Sequence, residues 1–421
     1  MARTDVVVLG AGVVGVSVAL HLRAHGLSVA LLDRGSPGEG TSFGNAGVIE
    51  GSALLPVGFP RDIPVLLRHA LKLSSESNYQ LAALPGLAPW ILSYFNASSA
   101  RGLAATARDL RPLLDVARAE HHALAGPAGA MGLLSPTGWV KLYRTARQFA
   151  KTATERALAD ELKVAYSVLD TEAACALEPA LRPVFEAAIH WHDCDNCSDP
   201  GGLVKAYAAL LEQRGGLLLQ GDARTLRRQS GGWRVETASG PVDAEEAVVC
   251  LGPWSLEVLR PLGLPLPLAP KRGYHVHLAP EGGMTLGRAL VDVAYGYALQ
   301  NTRYGIRLTT GVEFAGLEAR SSPVQIHRDV PHARELLPLG AVREAEPWLG
   351  RRPAFPDSKP VIGPAPGIGG LHLAFGHGHW GLTLGPVTGR LLAEMMTGAT
   401  PFIDPAPFAP GRFGLRAAQR I

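Results

Sequence analysis

Three glycines, Gly10, Gly12 and Gly15, and an acid, Asp33, have the types and the spacing to hold a dinucleotide. Lacking side chains, such a turn lets its backbone, here including Ala11, Val13 and Val14, come close to a pyrophosphate. A helix opening at that point adds unpaired N–H groups and partial positive charge. Asp33, with Arg34 beside it, is placed to accept hydrogen bonds from an adenosine ribose whose 2′-hydroxyl is free. A second glycine-rich stretch, GHGHWGLT at 376–383, leads from an apolar segment into a helical pattern and offers another helix N-terminus to a cofactor. A dipole of that kind stabilises the negative charge that reduction places on a flavin, whereas a nicotinamide becomes neutral on reduction. The competing reading gives these glycines to a tight connection and the histidines to solvent.

A third constellation, HWHDCDNC at 190–197, has a Cys-x-x-Cys spacing with two nearby histidines. Strand alternation predicts His190, His192 and Cys194 on one face. A zinc ribbon needs a second cysteine pair, which Cys175 and Cys250 do not supply at the required spacing, so the expectation is a local turn with free thiols and no metal. His121, His122, His327 and His332 have no partner pattern and are assigned to the surface.

The elements that must position these residues are legible in outline. DVVVLG at 5–10 is β-branched without polar alternation, as in a parallel strand buried on both faces. Residues 13–25 carry apolar side chains at helical spacing, with Gly26 as the closing residue, and 28–32 reads as a second buried strand ending at Asp33. The result is the βαβ unit of a dinucleotide-binding domain. Residues 54–134 show amphipathic stretches with prolines at their edges and no strand pattern, predicting a helical insertion. Strands are expected at 135–143, 187–192, 216–222, 233–237 and 247–251, and helices at 145–162 and 200–215. Residues 271–278 alternate like a half-buried antiparallel strand, and 297–313 like a hairpin. Residues 371–375 read as a buried strand before the 376–381 loop, followed by a helix over 383–396.

Composition narrows the function class. Glycine accounts for 49 of 421 residues, about 12% against an average near 7%, which calls for specific backbone positions rather than a flexible chain. A formal charge of +3 and no run of Lys or Arg argue against nucleic acid as a partner. Four cysteines suit a reducing compartment. No stretch reaches the roughly 18 apolar residues of a spanning helix, so the expected location is cytoplasmic, with a peripheral membrane contact left open.

Five motifs in order resemble the FAD-dependent D-amino acid dehydrogenases of the D-amino acid oxidase and sarcosine oxidase group. They are VVVLGAGVVG at 6–15 with Asp33, TSFGNAGVI at 41–49, VVCLGPWS at 248–255, GRRPAFPDSKPVIG at 350–363 and FGHGHWGLTLGPVTGR at 375–390. The resemblance implies a Rossmann-like FAD-binding domain of the glutathione-reductase type and an α+β substrate domain built on an antiparallel sheet. The expected division is 1–53, 196–268 and 346–405 for FAD, 54–195 and 269–345 for substrate, and 406–421 as a tail. It further implies that Thr41, Ser42, Asn45, Ala46 and Gly47 lie along the flavin and pyrophosphate. Ala223 and Gly252 would approach the adenine half, with Trp254 also among the cofactor contacts. Gly376, His377, Gly378, Gly381, Leu382 and Thr383 would approach the isoalloxazine. Some relatives tether the flavin through a cysteine in the segment matching 350–357; this chain has none there, so noncovalent FAD is expected.

The implied reaction passes the α-hydrogen of a D-amino acid to flavin N5 and leaves an imine that water hydrolyses. Arg352 falls on the family's Gly-x-Arg-Pro position, which looks like the clamp for the substrate carboxylate, while Arg351 is read as a surface ion pair. Tyr274 falls where a family tyrosine can reach the substrate, though a strand tyrosine is as often core. His379 and Trp380 are expected to wall the flavin's substrate side. GHGHWGLT with RGYHV looks most like members that oxidise cyclic D-imino acids such as cis-4-hydroxy-D-proline and D-proline. Electrons would pass to a quinone or another redox partner. An oxidase of sarcosine or glycine type using O₂, and a flavin-binding subunit without turnover, are the alternatives.

Overall fold

A computed structural model of the chain describes residues 2–414. The strand Ala2–Leu9 lies between two parallel partners, Val29–Asp33 and Val242–Val249, so Val6–Leu9 are buried on both faces and show no polar alternation. Leu217–Gln220 extends this layer beyond Val29–Asp33, and Leu371–Phe375 extends it beyond Val242–Val249, all in parallel. The antiparallel strands Val361–Pro364, Arg227–Gln229 and Gly232–Val235 complete an eight-stranded sheet. The helix Val13–Ala24 follows the first glycine turn and ends at Gly26, whose φ of +89° gives the left-handed closure predicted for it. It packs on the C-terminal helix Gly381–Met396 at backbone contact: a Cβ on Gly385 would come within 2.7 Å of Val13, and one on Gly389 within 2.6 Å of Ser17.

The second sheet has eleven strands around Ala269–Pro280. This strand is buried on both faces rather than half-buried. Tyr274, Val276 and Leu278 face the helix Val324–Leu336, through Ile326, Val330 and Ala333, and the alternate residues Lys271 and Gly273 face a cavity. Trp348–Ala354 pairs antiparallel along it, so the segment from 346, expected with the FAD-binding part, contributes its first strand to this sheet. A small third sheet joins Val48–Glu50, Cys194–Cys197 and Leu134–Ser135.

Several expected elements differ. The insertion is mainly helical, with Ile63–Ala70, Leu84–Ala97 and Ala100–Ala125, but Ser77–Tyr79 within it pairs with Val312–Phe314. The strand over 135–143 divides, because Gly138 turns the chain at φ +72° between two sheets. The helix over 145–162 breaks at Thr152, whose hydroxyl bonds back to the Phe149 carbonyl at 2.8 Å. The tail is packed to residue 414, with Phe408 buried and Arg412 paired to Asp357 at 2.8 Å; residues 415–421 lie outside the described residues. His121 is not at the surface. It is fully buried between the Tyr207 hydroxyl at 3.0 Å and the Leu382 carbonyl at 2.8 Å, and burial lowers its pKa to about 4. His122 bonds Asp195, and His332 stacks on Tyr295. No helix among the described residues is long and apolar enough to cross a membrane.

Candidate functional site

A cavity of about 1190 Å³ is lined from both large sheets. The first glycine turn enters it through Gly10, Ala11, Gly12, Val13 and Val14. Gly10 takes φ +104°, and a Cβ there would come within 2.6 Å of the Cys250 carbonyl oxygen, so only glycine lets the turn lie this close to the neighbouring strand. Gly15 is one layer beneath, packed on the Gly10 carbonyl, and does not line the cavity. Asp33 accepts from the Ala11 N–H at 2.7 Å and, through its other oxygen, from the Gly35 N–H at 3.0 Å. Each carboxylate oxygen retains acceptor capacity toward the cavity. Ser42 accepts from the Val13 N–H at 3.1 Å, at the open end of the helix. Arg34 lies over the Trp254 ring at 4.7 Å, and both line the cavity with Ala223 and Gly252.

Thr41, Ser42, Asn45 and Ala46 continue the lining. Gly47 does not; at φ +82° it makes room for the Cys197 carbonyl and serves the pairing of Val48–Glu50 with Cys194–Cys197. On the C-terminal side Gly376, His377, Gly378, Gly381 and Leu382 reach the cavity. The His377 ring turns away to bond the Thr388 hydroxyl at 2.9 Å, and burial lowers its pKa to about 3. Thr383 also turns away, its hydroxyl accepting from the Glu50 N–H at 3.1 Å.

The antiparallel sheet supplies the charged wall. The Arg352 guanidinium lies over Gly273, where a Cβ would come within 2.5 Å of Nη1. It donates to the carbonyls of Gly311 at 2.9 Å and Thr310 at 3.2 Å. No carboxylate partner for it exists among the described residues, and burial lowers its pKa only to about 10, so it is a charged fork facing the cavity. Arg351 is paired to Glu318 at 3.3 Å near the surface. His379 lines the cavity with its Nε2 unpartnered, and burial, then Arg352 and Lys271, hold its pKa far below the usual value. It is a neutral wall residue.

Tyr274 also belongs to the cavity lining, while its hydroxyl is engaged within the sheet. Its hydroxyl donates to Glu313 at 2.7 Å and accepts from Ser322 N–H at 2.7 Å and Arg272 at 3.1 Å, on the face of the strand turned away from Lys271 and Gly273. With its hydrogen-bonding capacity used there, the hydroxyl braces the sheet. Tyr274→Phe is therefore expected to leave kcat and KM within about threefold. It should destabilise the holoenzyme by about 1–3 kcal/mol, read as a lower unfolding midpoint.

Two cavity residues were missed in the sequence. Glu50 presents a carboxyl bonded to the Trp380 indole, and burial pushes its pKa up to about 7. Lys271, 3% exposed, places its ammonium 3.6 Å from the Tyr94 ring centroid, and burial lowers its pKa to about 7. A lysine opening a strand read as half-buried was the available signal. The 190–197 segment is tied into its surroundings by local bonds. Its histidines bond to Thr137 and Ser167, Cys194 and Cys197 are buried free thiols, and among the described residues no group of three or more His, Cys, Asp or Glu is arranged for a metal.

A family model described as FAD dependent oxidoreductase, DAO, matches residues 5–395. Over 97% of its length and 98% of the relative's, the chain is 32% identical to a D-amino-acid oxidase of Bradyrhizobium diazoefficiens. It is 33% identical to a D-amino acid dehydrogenase of Methylobacterium sp. (strain 4-46), over 97% of this chain and 99% of that one. In structure it superposes on glycine oxidase from Geobacillus kaustophilus with a TM-score of 0.77 at 23% identity, covering 98% of this chain and 99% of that one. The glycine turn, the acid behind it and the second helix end opening on the same cavity are the parts that an FAD requires, and the chain belongs to the DAO family of FAD-dependent oxidoreductases.

Proposed function

We propose that the protein oxidises D-amino acids at Cα, with the cyclic imino acids cis-4-hydroxy-D-proline and D-proline as its preferred class and a quinone or other redox partner as acceptor. The observation that carries this reading is Arg352, a half-buried guanidinium without a carboxylate among the described residues, which faces the same cavity as the Gly10 turn. An unpaired cation held partly out of water is costly to the fold and is complementary to an anionic ligand. FAD, bound noncovalently, supplies the hydride acceptor at N5. Cys250 is the cysteine that lines the cavity, and burial pushes its thiol far up, so it is a poor nucleophile toward the flavin.

The chain's own residues do the rest by positioning. Arg352 forks the carboxylate and fixes which Cα substituent points along the cavity. His379 and Trp380 exclude water from that end while remaining uncharged. The N-terminus of Gly381–Met396, reached through Gly378 and Gly381, offers partial positive charge. The product imine is then hydrolysed by water to a 2-oxo acid.

The test is anaerobic flavin reduction by D-alanine, D-arginine, D-proline, cis-4-hydroxy-D-proline and sarcosine, each chiral compound beside its L-counterpart. Fast bleaching by the D-imino acids is expected. Bleaching by L-compounds alone, or by none, overturns the reading, and stoichiometric peroxide in air would move the acceptor to O₂.

A further inference from the structure

Lys271 and Arg352 are cross-strand partners, opposite one another in the antiparallel pairing of Ala269–Pro280 with Trp348–Ala354. Directly opposed residues share a face with Cβ atoms about 4.5–5.5 Å apart, so the two cations are neighbours on the wall that faces the cavity. Neither has a carboxylate among the described residues. Two adjacent unpaired cations inside a protein repel one another and lack hydration, an arrangement that an anion between them relieves.

The surroundings of Lys271 contain no charge to do so. On its own strand, Arg272 points to the other face and pairs with Glu313 at 3.0 Å. Across the sheet, Phe314 stands opposite, while Glu313 is engaged on that other face. From the helix Leu84–Ala97, Trp90 and Tyr94 cover the ammonium with aromatic faces, and burial keeps the Tyr94 phenol protonated. From the Gly378–Trp380 turn comes His379, which is neutral. Arg351, next to Arg352, is already paired with Glu318. The aromatic cover favours a cation by its ring quadrupole but cannot neutralise it.

We propose that Lys271 is a second anchor for the substrate carboxylate, closing on it together with Arg352, so that carboxylate binding is coupled to protonation of Lys271. This rests on the reading of Arg352 as the carboxylate clamp. The sign follows from the groups involved. Arg352 stays charged up to about pH 10 and the carboxylate is anionic throughout, while Lys271, held near 7 by burial and then by Arg352, loses its charge as pH rises. Affinity for a carboxylate is therefore full below about pH 7 and falls above it, by up to about tenfold per pH unit.

The test titrates FAD-loaded enzyme with pyrrole-2-carboxylate, a carboxylate without an oxidisable Cα–H, following the flavin absorbance between pH 6 and 9. Wild type is expected to weaken by at least tenfold across that range. Lys271→Met should bind at least tenfold more weakly at pH 6 and show no such slope. Lys271→Arg, which stays charged, should bind tightly and be equally flat. A Lys271→Met protein with wild-type affinity and slope, while Arg352→Met loses binding, overturns the Lys271 inference alone. If Arg352→Met binds like wild type, the carboxylate lies elsewhere and the underlying reading falls with it.

Discussion

Replacing Arg352 by methionine is expected to lower kcat/KM for the best D-substrate by about a hundred- to a thousandfold, the range for removing one partner of a buried, hydrogen-bonded charge pair. The loss should appear in both KM and kcat, because the fork that binds the carboxylate also aligns Cα. Flavin content should be unchanged: the Arg352 contacts run to the Thr310 and Gly311 carbonyls and not to the Gly10 turn. Arg352→Lys keeps the charge and loses the bidentate geometry, so it should recover binding more than turnover. Steady-state kinetics with flavin-normalised enzyme decide the matter, and an Arg352→Met enzyme within threefold of wild type would rule out the clamp.

Gly10→Val is expected to give protein without bound flavin, or protein that does not fold. The Cβ it adds would lie 2.6 Å from the Cys250 carbonyl oxygen and 2.9 Å from the carbonyl carbon, both backbone atoms that cannot move without shifting Val242–Val249 against Ala2–Leu9. The φ of +104° adds strain of its own. Gly26→Ala is the control. It has a comparable φ of +89° but open space where the methyl would go, so it should cost about 1 kcal/mol and remain yellow. Flavin-to-protein absorbance ratios separate the two outcomes, and full flavin occupancy in Gly10→Val would contradict the assignment of the turn.

The βαβ unit was legible because strands covered on both faces must be apolar throughout, and Val6–Leu9 and Val29–Leu32 are. The strand Leu371–Phe375 was legible from its apolar residues and its bounding glycines, Gly370 and Gly376, although His372 within it is half-buried and paired to Glu246 at 3.4 Å. Sheet order was not: nothing local places Leu217–Gln220 beside Val29–Asp33 across nearly two hundred residues. On the substrate side the difficulty was which face is which. Reading 271–278 as half-buried left Lys271 unnoticed, when the strand is covered on both sides and Lys271 and Gly273 join Tyr274 in the cavity lining. The small residue matters as much as the large one, since Arg352 occupies the space that Gly273 leaves empty. His121 was misplaced because its partners, Tyr207 and the Leu382 carbonyl, come from remote parts of the chain.

The close packing of Gly385 and Gly389 on Val13 and Ser17 makes one rigid body of the two helices whose N-termini open on the cavity. The distance between those two positive ends is thus a fixed gauge, set by missing methyl groups that never meet the cofactor. Such a gauge measures molecular length. A flavin mononucleotide keeps an isoalloxazine and a phosphate and so reaches both ends; what it leaves unused is Asp33 with the Ala223 and Gly252 lining, where the adenosine half of the dinucleotide would lie.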